Sequence, residues 1–202
     1  MRAGQAGRAR PDAGGGAPTS DELHRRPATD NGVLDRLLDA AVQELRASGY
    51  SGITVRLVAR RAGVSPATAY NYVSSKEHLL ASLFWRQLIA LPRPTELDDG
   101  TAADRAEHLV GGIAAMVLAE PELIPAYRAA LLADDPNAAR VRDAIATHLK
   151  AEFSWALGDE LSESAQQSVQ LAFVGGMLMA GSGVFSHDAV ARQIAGLVRQ
   201  LQ

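Results

Sequence analysis

The sequence predicts an all-α protein of about nine helices, arranged as a small N-terminal domain and a larger C-terminal domain. Apolar residues recur at helical spacing through most of the chain, and capping residues, glycines and prolines separate these stretches. No stretch alternates apolar and polar residues as a half-buried strand would. The 202 residues include no cysteine, which excludes a disulfide framework, a cysteine-ligated zinc site and a thiol nucleophile.

Composition divides the chain into an arm and two domains. Residues 1–28 are rich in Gly, Ala, Pro and Arg, which predicts a disordered arm or, as an alternative, an arm that follows DNA through its five arginines. We place the domains at residues 29–91 and 92–202, because the polar, proline-bearing stretch 92–100 is typical of a linker. The N-terminus lacks the apolar core of a signal peptide, which favours a cytoplasmic location.

Charge is distributed unevenly between these parts. The whole chain has a net charge of −3. Residues 31–91 carry seven Lys/Arg and four acidic residues, whereas residues 92–202 carry eight Lys/Arg and fifteen acidic residues. A basic N-terminal domain favours a polyanionic partner such as nucleic acid, and the acidic domain would be repelled from the same partner.

The stretch 54–76 predicts two short helices joined by a glycine turn. Thr54 can cap the first helix, whose apolar residues recur at i, i+3, i+4 and i+7. Gly63 can end this helix in a left-handed conformation. Ser65 can cap the second helix, with Pro66 in its first turn. This arrangement indicates a helix-turn-helix motif, whose second helix enters the major groove of DNA.

The run T-V-R-x-V-A-x-x-A-G-V-S-x-x-T-x-Y-x-Y-V-x-S-K-E resembles the DNA-binding signature of the TetR family of transcriptional repressors. The resemblance extends over about residues 33–89, although Ala69 and Val73 stand where the family usually has a larger aliphatic residue and a phenylalanine. The alternative is a helical hairpin in another kind of bundle. The resemblance implies DNA contacts: phosphates for Thr54, Thr68, Tyr70, Tyr72 and Lys76, and base edges for Arg56, Pro66, Ala67 and Asn71, with the capping Ser65 beside them.

A connecting helix follows this motif. Ser74 and Glu77 have the spacing of a capping box at its start, and its apolar stripe continues to the prolines of the linker. We call the N-terminal domain the head and the C-terminal domain the body. Because one face of the connecting helix must pack on the head and its far end must meet the body, a shift of the body should move the head.

The most apolar stretch is 171–185, and it is too short to span a membrane, which takes roughly 20 apolar residues. The TetR resemblance implies that this helix and the last helix pair with their copies in a four-helix bundle. Burial within the monomer is the alternative. The predicted dimer contacts are Gly176, Ala180, Ile194, Leu197 and Val198.

The resemblance also implies a small-molecule pocket in the C-terminal domain. We expect bulky and partly polarisable residues to line it, although each one alone is also compatible with an ordinary core. The candidates are Met116, Tyr127, Leu131, His148, Trp155, Phe173 and Met177, with His108 and Phe153 as further possibilities.

No pattern in the sequence indicates catalysis. The five histidines show no metal-ligand spacing, and Gly181-Ser182-Gly183 lacks the glycine spacing of a nucleophile elbow. We therefore expect no metal, no cofactor and no enzyme activity. The predicted function is a homodimeric, ligand-released repressor whose partners are double-stranded operator DNA with a palindromic sequence, its own copy and a small apolar or amphipathic effector, with no membrane. The alternatives are a DNA-binding dimer without an effector and an all-α enzyme.

Overall fold

The computed structural model describes residues 28–93, 97 and 100–202. Within these ranges the chain forms nine α-helices and no strand, so the predicted all-α fold is confirmed. The helices are α1 Ala28–Gly52, α2 Val55–Arg61, α3 Pro66–Tyr70, α4 Lys76–Ile89, α5 Ala102–Leu118, α6 Ile124–Leu132, α7 Pro136–Leu157, α8 Glu163–Ala180 and α9 His187–Leu201. The predicted disordered arm lies, except for Ala28, outside the described residues.

Helices α1 to α3 enclose the small N-terminal core. Leu37 and Leu45 of α1 and Val58 of α2 are fully buried in it. Ala69 and Val73, the two departures from the family pattern, are also fully buried, so these smaller side chains lie within the core. The helical backbone of α1 is interrupted at Gly49, which has a φ of 67°, a conformation that favours glycine.

The turn between α2 and α3 forms as the sequence predicts. The Oγ1 atom of Thr54 accepts a hydrogen bond from the amide of Leu57 at 3.2 Å, and Gly63 has a φ of 69°. The Oγ atom of Ser65 accepts from the amide of Thr68 at 3.0 Å, and Pro66 is the first residue of α3. Since the caps satisfy amides that have no partner within the helix, they set where both helices begin.

The predicted capping box at the start of α4 is wrong by one residue. Ser75 is the N-cap, and its Oγ atom accepts from the amide of His78 at 2.9 Å. The third helical residue is therefore His78 instead of Glu77, so the box cannot close. The amide of Ser74 donates instead to Nδ1 of His78 at 3.2 Å.

In the C-terminal domain, α5 packs against α7 and α9, and α8 packs against both α7 and α9. Helix α4 contacts α1 of the small domain and also packs along α6 and α7 of the large domain, so it belongs to the core of both. A second connection joins Arg46 of α1 to Glu120, with the Nη2 and Oε2 atoms 2.9 Å apart. Both connections hold the small domain to the large one.

Within the described ranges, no single helix is long and apolar enough to cross a membrane. By length and composition alone, one pair of helices, Ala102–Leu118 and Pro121–Leu132, meets the criterion together, with a bend of 86° between them.

Candidate DNA-binding surface and ligand cavity

A cationic surface at the end of the small domain is formed by residues of α2, beside α3. The stretch 54–76 contains three arginines and one lysine and no acidic residue. Arg56 and Arg60 are both exposed, one helical turn apart, and neither forms an ion pair with a described residue. Arg60 is a candidate that the sequence analysis missed, although its i+4 spacing from Arg56 is a usable signal.

Arg61, by contrast, stabilises the small domain through an ion pair. Its Nε atom lies 2.7 Å from Oε1 of Glu44, a residue of α1 that is only 7% exposed. This ion pair joins α1 to α2. Two arginines of α2 are therefore left for an external partner, and the third holds the helix in place.

The predicted contacts of α3 lie next to this surface. Pro66, Ala67, Tyr70 and Asn71 are exposed, and Tyr70 retains 47% of its accessible surface. Thr68 is half-buried, and its hydroxyl lies 2.8 Å from that of the cap, Ser65. Of the other predicted contacts, Tyr72 is half-buried and Thr54 is exposed.

Lys76 is held in a defined position at the start of α4. Its Nζ atom donates to the carbonyl oxygen of Tyr50 at 3.3 Å and lies 3.9 Å from the centre of the Tyr50 ring. Burial, together with the neighbouring Glu77 carboxylate, raises the pKa of the Tyr50 phenol, so this ring stays neutral beneath the ammonium group. A lysine fixed in this way presents its charge at little cost in side-chain entropy.

A cavity of about 320 Å³ lies between α4 and the C-terminal helices. This volume is at the lower end of the range for small-molecule sites. Its walls are mainly aliphatic and aromatic, including Phe84 and Leu88 of α4 and Ile113 of α5. Four of the predicted pocket residues line it: Tyr127, Leu131, Phe173 and Met177.

The other predicted pocket residues lie elsewhere. His148, Trp155 and His108 line a second cavity of about 130 Å³, which shares Leu88, Ile113 and Leu149 with the first. Met116 lines neither cavity and packs half-buried against the core, and Phe153 is fully buried within that core. Helical spacing places residues on a face, but it does not show which face borders a cavity.

Tyr127 connects the large cavity to α4. Its hydroxyl donates a hydrogen bond to Oε1 of Gln87, and its ring meets that of Phe84 edge to face, with centroids 5.2 Å apart. Burial raises the pKa of the Tyr127 phenol, which therefore remains a neutral donor. Tyr127 in the cavity wall thus contacts two residues of α4 directly.

Polar groups border the smaller cavity. The guanidinium of Arg93 makes two hydrogen bonds to the Glu152 carboxylate, at 2.7 and 2.6 Å, and lies 5.4 Å from the Trp155 ring. Nδ1 of His148 lies 3.8 Å from Oε1 of Glu152. The Arg93 contacts attach the segment that follows α4 to α7. In the described part of the chain, no three His, Asp or Glu side chains are grouped as metal ligands.

The predicted dimer contacts take part in packing within one protomer. A Cβ atom at Gly176 would lie 2.8 Å from Cγ1 of Val190, so Gly176 faces α9 of its own chain. Ala180, Ile194 and Val198 are 5% exposed or less, and Leu197 is half-buried. These residues join α8 and α9 to the protomer core. This packing within the protomer leaves the opposite face of α8 uncovered.

That opposite face is apolar and exposed. Large side chains at helical spacing lie along α8 and the turn after it, with Leu171 retaining 75% of its accessible surface. Nothing lies within 4 Å of a Cβ built at Gly175, which therefore permits close approach of another helix. The residues of this surface, which we call the α8 face, are Leu171, Val174, Leu178, Met179, Val184 and Phe185.

A compact head with a capped two-helix motif and a cationic end, joined to a helical body with a cavity, defines a helix-turn-helix transcriptional regulator. The profile of the "Bacterial regulatory proteins, tetR family" matches residues 37–83. An HTH-type transcriptional regulator of Mycobacterium tuberculosis is 35% identical over 179 residues, which cover 88% of this chain and 84% of the relative. The chain belongs to the tetR family of bacterial regulatory proteins.

Two further comparisons agree with this membership. The HTH-type transcriptional repressor KstR of Mycolicibacterium smegmatis is 32% identical over 127 residues, which cover 61% of this chain and 62% of KstR. The crystal structure of a TetR transcriptional regulator from Rhodococcus sp. RHA1 superimposes with a TM-score of 0.70 at 19% identity, over 86% of this chain and 97% of that chain. The names of these relatives describe regulators, which supports the expected absence of enzyme activity without testing it directly.

Proposed function

We propose that this DNA-binding regulator is a dimeric repressor that binds a palindromic operator and is released when a small molecule fills the large cavity. One observation carries the proposal: α4 begins directly after the recognition helix α3 and also contributes Phe84 and Leu88 to the cavity wall. A ligand in the cavity therefore contacts the helix that positions the head. The name of the relative KstR supports repression in preference to activation.

Residues 29–91 are assigned to DNA binding, and residues 92–202 are assigned to effector binding and dimerisation. In the DNA-binding domain, the ten predicted contacts of the sequence analysis stand as proposed contacts, and Arg60 is added to them. Arg56 is exposed without a carboxylate partner, as a residue that reads guanine should be. The residues assigned to phosphates are Thr54, Thr68, Tyr70, Tyr72 and Lys76.

The dimer is assigned to the α8 face. An exposed apolar surface of this kind marks an interaction site on a soluble protein. A second copy is the occupant that the proposed function requires, because two heads must reach successive major grooves about 34–36 Å apart. Val174 and Leu178 belong both to this face and to the cavity wall, so pairing of two copies would also cover the side of the cavity.

Release follows from a difference in ligand affinity between two head spacings. A useful switch of about 1–3 kcal/mol changes affinity roughly 5- to 150-fold, and operator DNA must weaken ligand binding by the same factor. The Tyr127–Gln87 hydrogen bond and the Phe84–Tyr127 contact are the assigned route from the cavity to α4.

The test uses an operator selected by the purified protein and three probes with a ten-carbon chain: decanol, decanoate and decyltrimethylammonium. Fluorescence anisotropy measures operator affinity with and without each probe, and calorimetry measures probe affinity with and without operator. At least one probe should release the operator, with equal coupling in both directions. Tyr127→Phe keeps the ring in the wall but loses the hydroxyl, so it should retain probe binding and reduce the coupling.

If no probe that binds the cavity alters operator affinity, ligand release is wrong and the regulator without an effector is favoured. If Tyr127→Phe retains full coupling, the assigned route through Gln87 is wrong although release itself stands.

A further inference from the structure

The large cavity has an unusual balance of charge. Nineteen residues line it, among them two arginines and a histidine, and none of these lining residues is Asp or Glu. Residues 92–202 nevertheless hold fifteen acidic residues against eight basic ones. The cationic character of the wall is therefore opposite to that of the surrounding domain.

Arg128 and Arg142 are held in place by backbone carbonyls. Nη1 of Arg128 donates to the carbonyl oxygen of Gly181 at 3.2 Å, at the end of α8. Nη1 of Arg142 donates to the carbonyl oxygen of Ala133 at 2.8 Å, just after α6. A guanidinium has five N–H donors, so each of these side chains is anchored while its Nε and Nη2 donors make no recorded bond to a described residue.

Neither arginine forms an ion pair with a described carboxylate, although other arginines of this domain do. Arg93 pairs with Glu152, Arg105 with Glu160 and Arg199 with Glu107. A guanidinium fork matches the two oxygens of a carboxylate, and this pairing is stronger than a neutral hydrogen bond. Two guanidinium groups that are anchored but not ion-paired line one apolar cavity, and they therefore supply the hydrogen-bond donors that a carboxylate site needs.

The position of the two arginines indicates how such a ligand would lie. Arg128 is exposed and Arg142 is half-buried, whereas Phe173 and Val117 of the same wall are buried. An ionised group at the arginines would remain near water, and an apolar tail would replace water along the buried wall. A cationic ligand would be repelled by the same arginines.

We propose that the cavity binds an amphiphilic carboxylate, with its acid group on Arg128 and Arg142 and its apolar tail against Phe173 and Val117. This proposal rests on the proposed function, because it names the ligand class of the same cavity. It can be tested separately from ligand release, because it concerns the affinity of the DNA-free protein for the carboxylate.

The experiment measures binding of decanoate and decanol to the DNA-free protein by calorimetry at neutral pH. The double variant Arg128→Gln/Arg142→Gln should weaken decanoate binding roughly tenfold or more, as expected for loss of charge-assisted hydrogen bonds. Decanol affinity should change less than about twofold, which also shows that the cavity is intact. Arg128→Lys/Arg142→Lys should recover part of the decanoate affinity, because the charge remains without the fork.

Arg192→Gln is the matched control, since Arg192 is exposed on α9 and lies outside the cavity wall. It should leave decanoate affinity unchanged. Equal decanoate affinity in the wild type and the double glutamine variant would overturn the carboxylate assignment, as would tighter binding of decyltrimethylammonium than of decanoate. If decanoate binds as proposed but no probe that binds the cavity alters operator affinity, the carboxylate site stands and the release mechanism is wrong.

Discussion

Arg56 and Arg61 lie in the same seven-residue helix but have different environments. Arg61 is paired with the buried Glu44, whereas Arg56 is exposed without a described carboxylate partner. Residue type does not distinguish them. The difference comes from α1, which places Glu44 beside only one of the two.

The variants Arg56→Ala and Arg61→Ala should therefore fail in different ways. Arg56→Ala should lose roughly 1–3 kcal/mol of discrimination at one base pair, because a bidentate contact to guanine is removed, and it should keep its melting temperature. Arg61→Ala should lose about 1–3 kcal/mol of stability, because it leaves the Glu44 carboxylate buried without its partner. Selected-sequence profiles and thermal unfolding measure the two effects. An unchanged profile for Arg56→Ala would place base reading on other residues.

Lys76 is expected to contact a phosphate and not a base. Lys76→Ala should weaken binding to operator and unrelated DNA by the same factor and lower the slope of log affinity against log salt by about one. Lys150→Ala is the natural control, because these are the two lysines of the chain and Lys150 is exposed on α7. A loss confined to the operator sequence would contradict the phosphate assignment.

At the scale of elements, α4 is the point where head and body meet. Its first turn contains His78, whose Nδ1 accepts from the amide of Ser74. The side-chain amide of Asn137, at the start of α7, donates to Oγ of Ser74 at 2.7 Å. The start of α7 therefore lies against the segment between the recognition helix and α4.

Protonation of His78 should weaken its contact with Ser74, because a protonated Nδ1 atom cannot accept the hydrogen bond from the Ser74 amide. Burial lowers the pKa of His78 from its ordinary value of 6.5, an effect that Arg140 reinforces and Asp135 opposes. The unfolded chain then takes up the proton at a higher pH than the folded chain, so stability is lost as pH falls below about 6.5. Denaturant unfolding at pH 7.5 and 5.5 measures the loss, and His78→Asn should reduce it.

His108 is exposed, so His108→Gln is the matched control and should leave the pH dependence unchanged. Asp135 acts in a different window. Burial opposes the ionisation of Asp135, but hydrogen bonds from the amides of Ala138 and Asn137 and from the Ser75 hydroxyl hold its pKa below 3.8. The stability that the ionised Asp135 contributes is therefore lost only at more acidic pH. If His78→Asn kept the full stability loss between pH 7.5 and 5.5, His78 would not be its source.

At the scale of the whole molecule, the proposed dimer depends on the α8 face. Leu171→Glu should convert the dimer to monomers in light scattering, because it places a charge at the most exposed position of that face. Operator affinity should fall steeply, while helical content stays the same. Leu118→Glu, at an exposed leucine at the end of α5, should leave the mass unchanged. A dimer that survives Leu171→Glu would refute the α8 face as the interface.

The sequence by itself determined the elements and the turn of the head. Caps and stops depend on residues one to four positions apart, so Thr54, Gly63 and Ser65 could be assigned without the fold. The choice between two adjacent capping residues, however, could not be made from the sequence. Ser74 and Ser75 can both cap a helix, and the choice of Ser75 accompanies the contacts of Ser74 with His78 and Asn137, the latter 63 residues further along the chain.

The tertiary structure alone decided which faces are inside. Periodicity shows that α8 is apolar, but the packing of Gly176 on Val190 shows which side is buried in the protomer and leaves Leu171 outside. In the same way, Arg128 and Arg142 come from different helices and have no motif in common. They meet at one cavity because α6 and α7 pack around it, a long-range arrangement that local spacing does not encode.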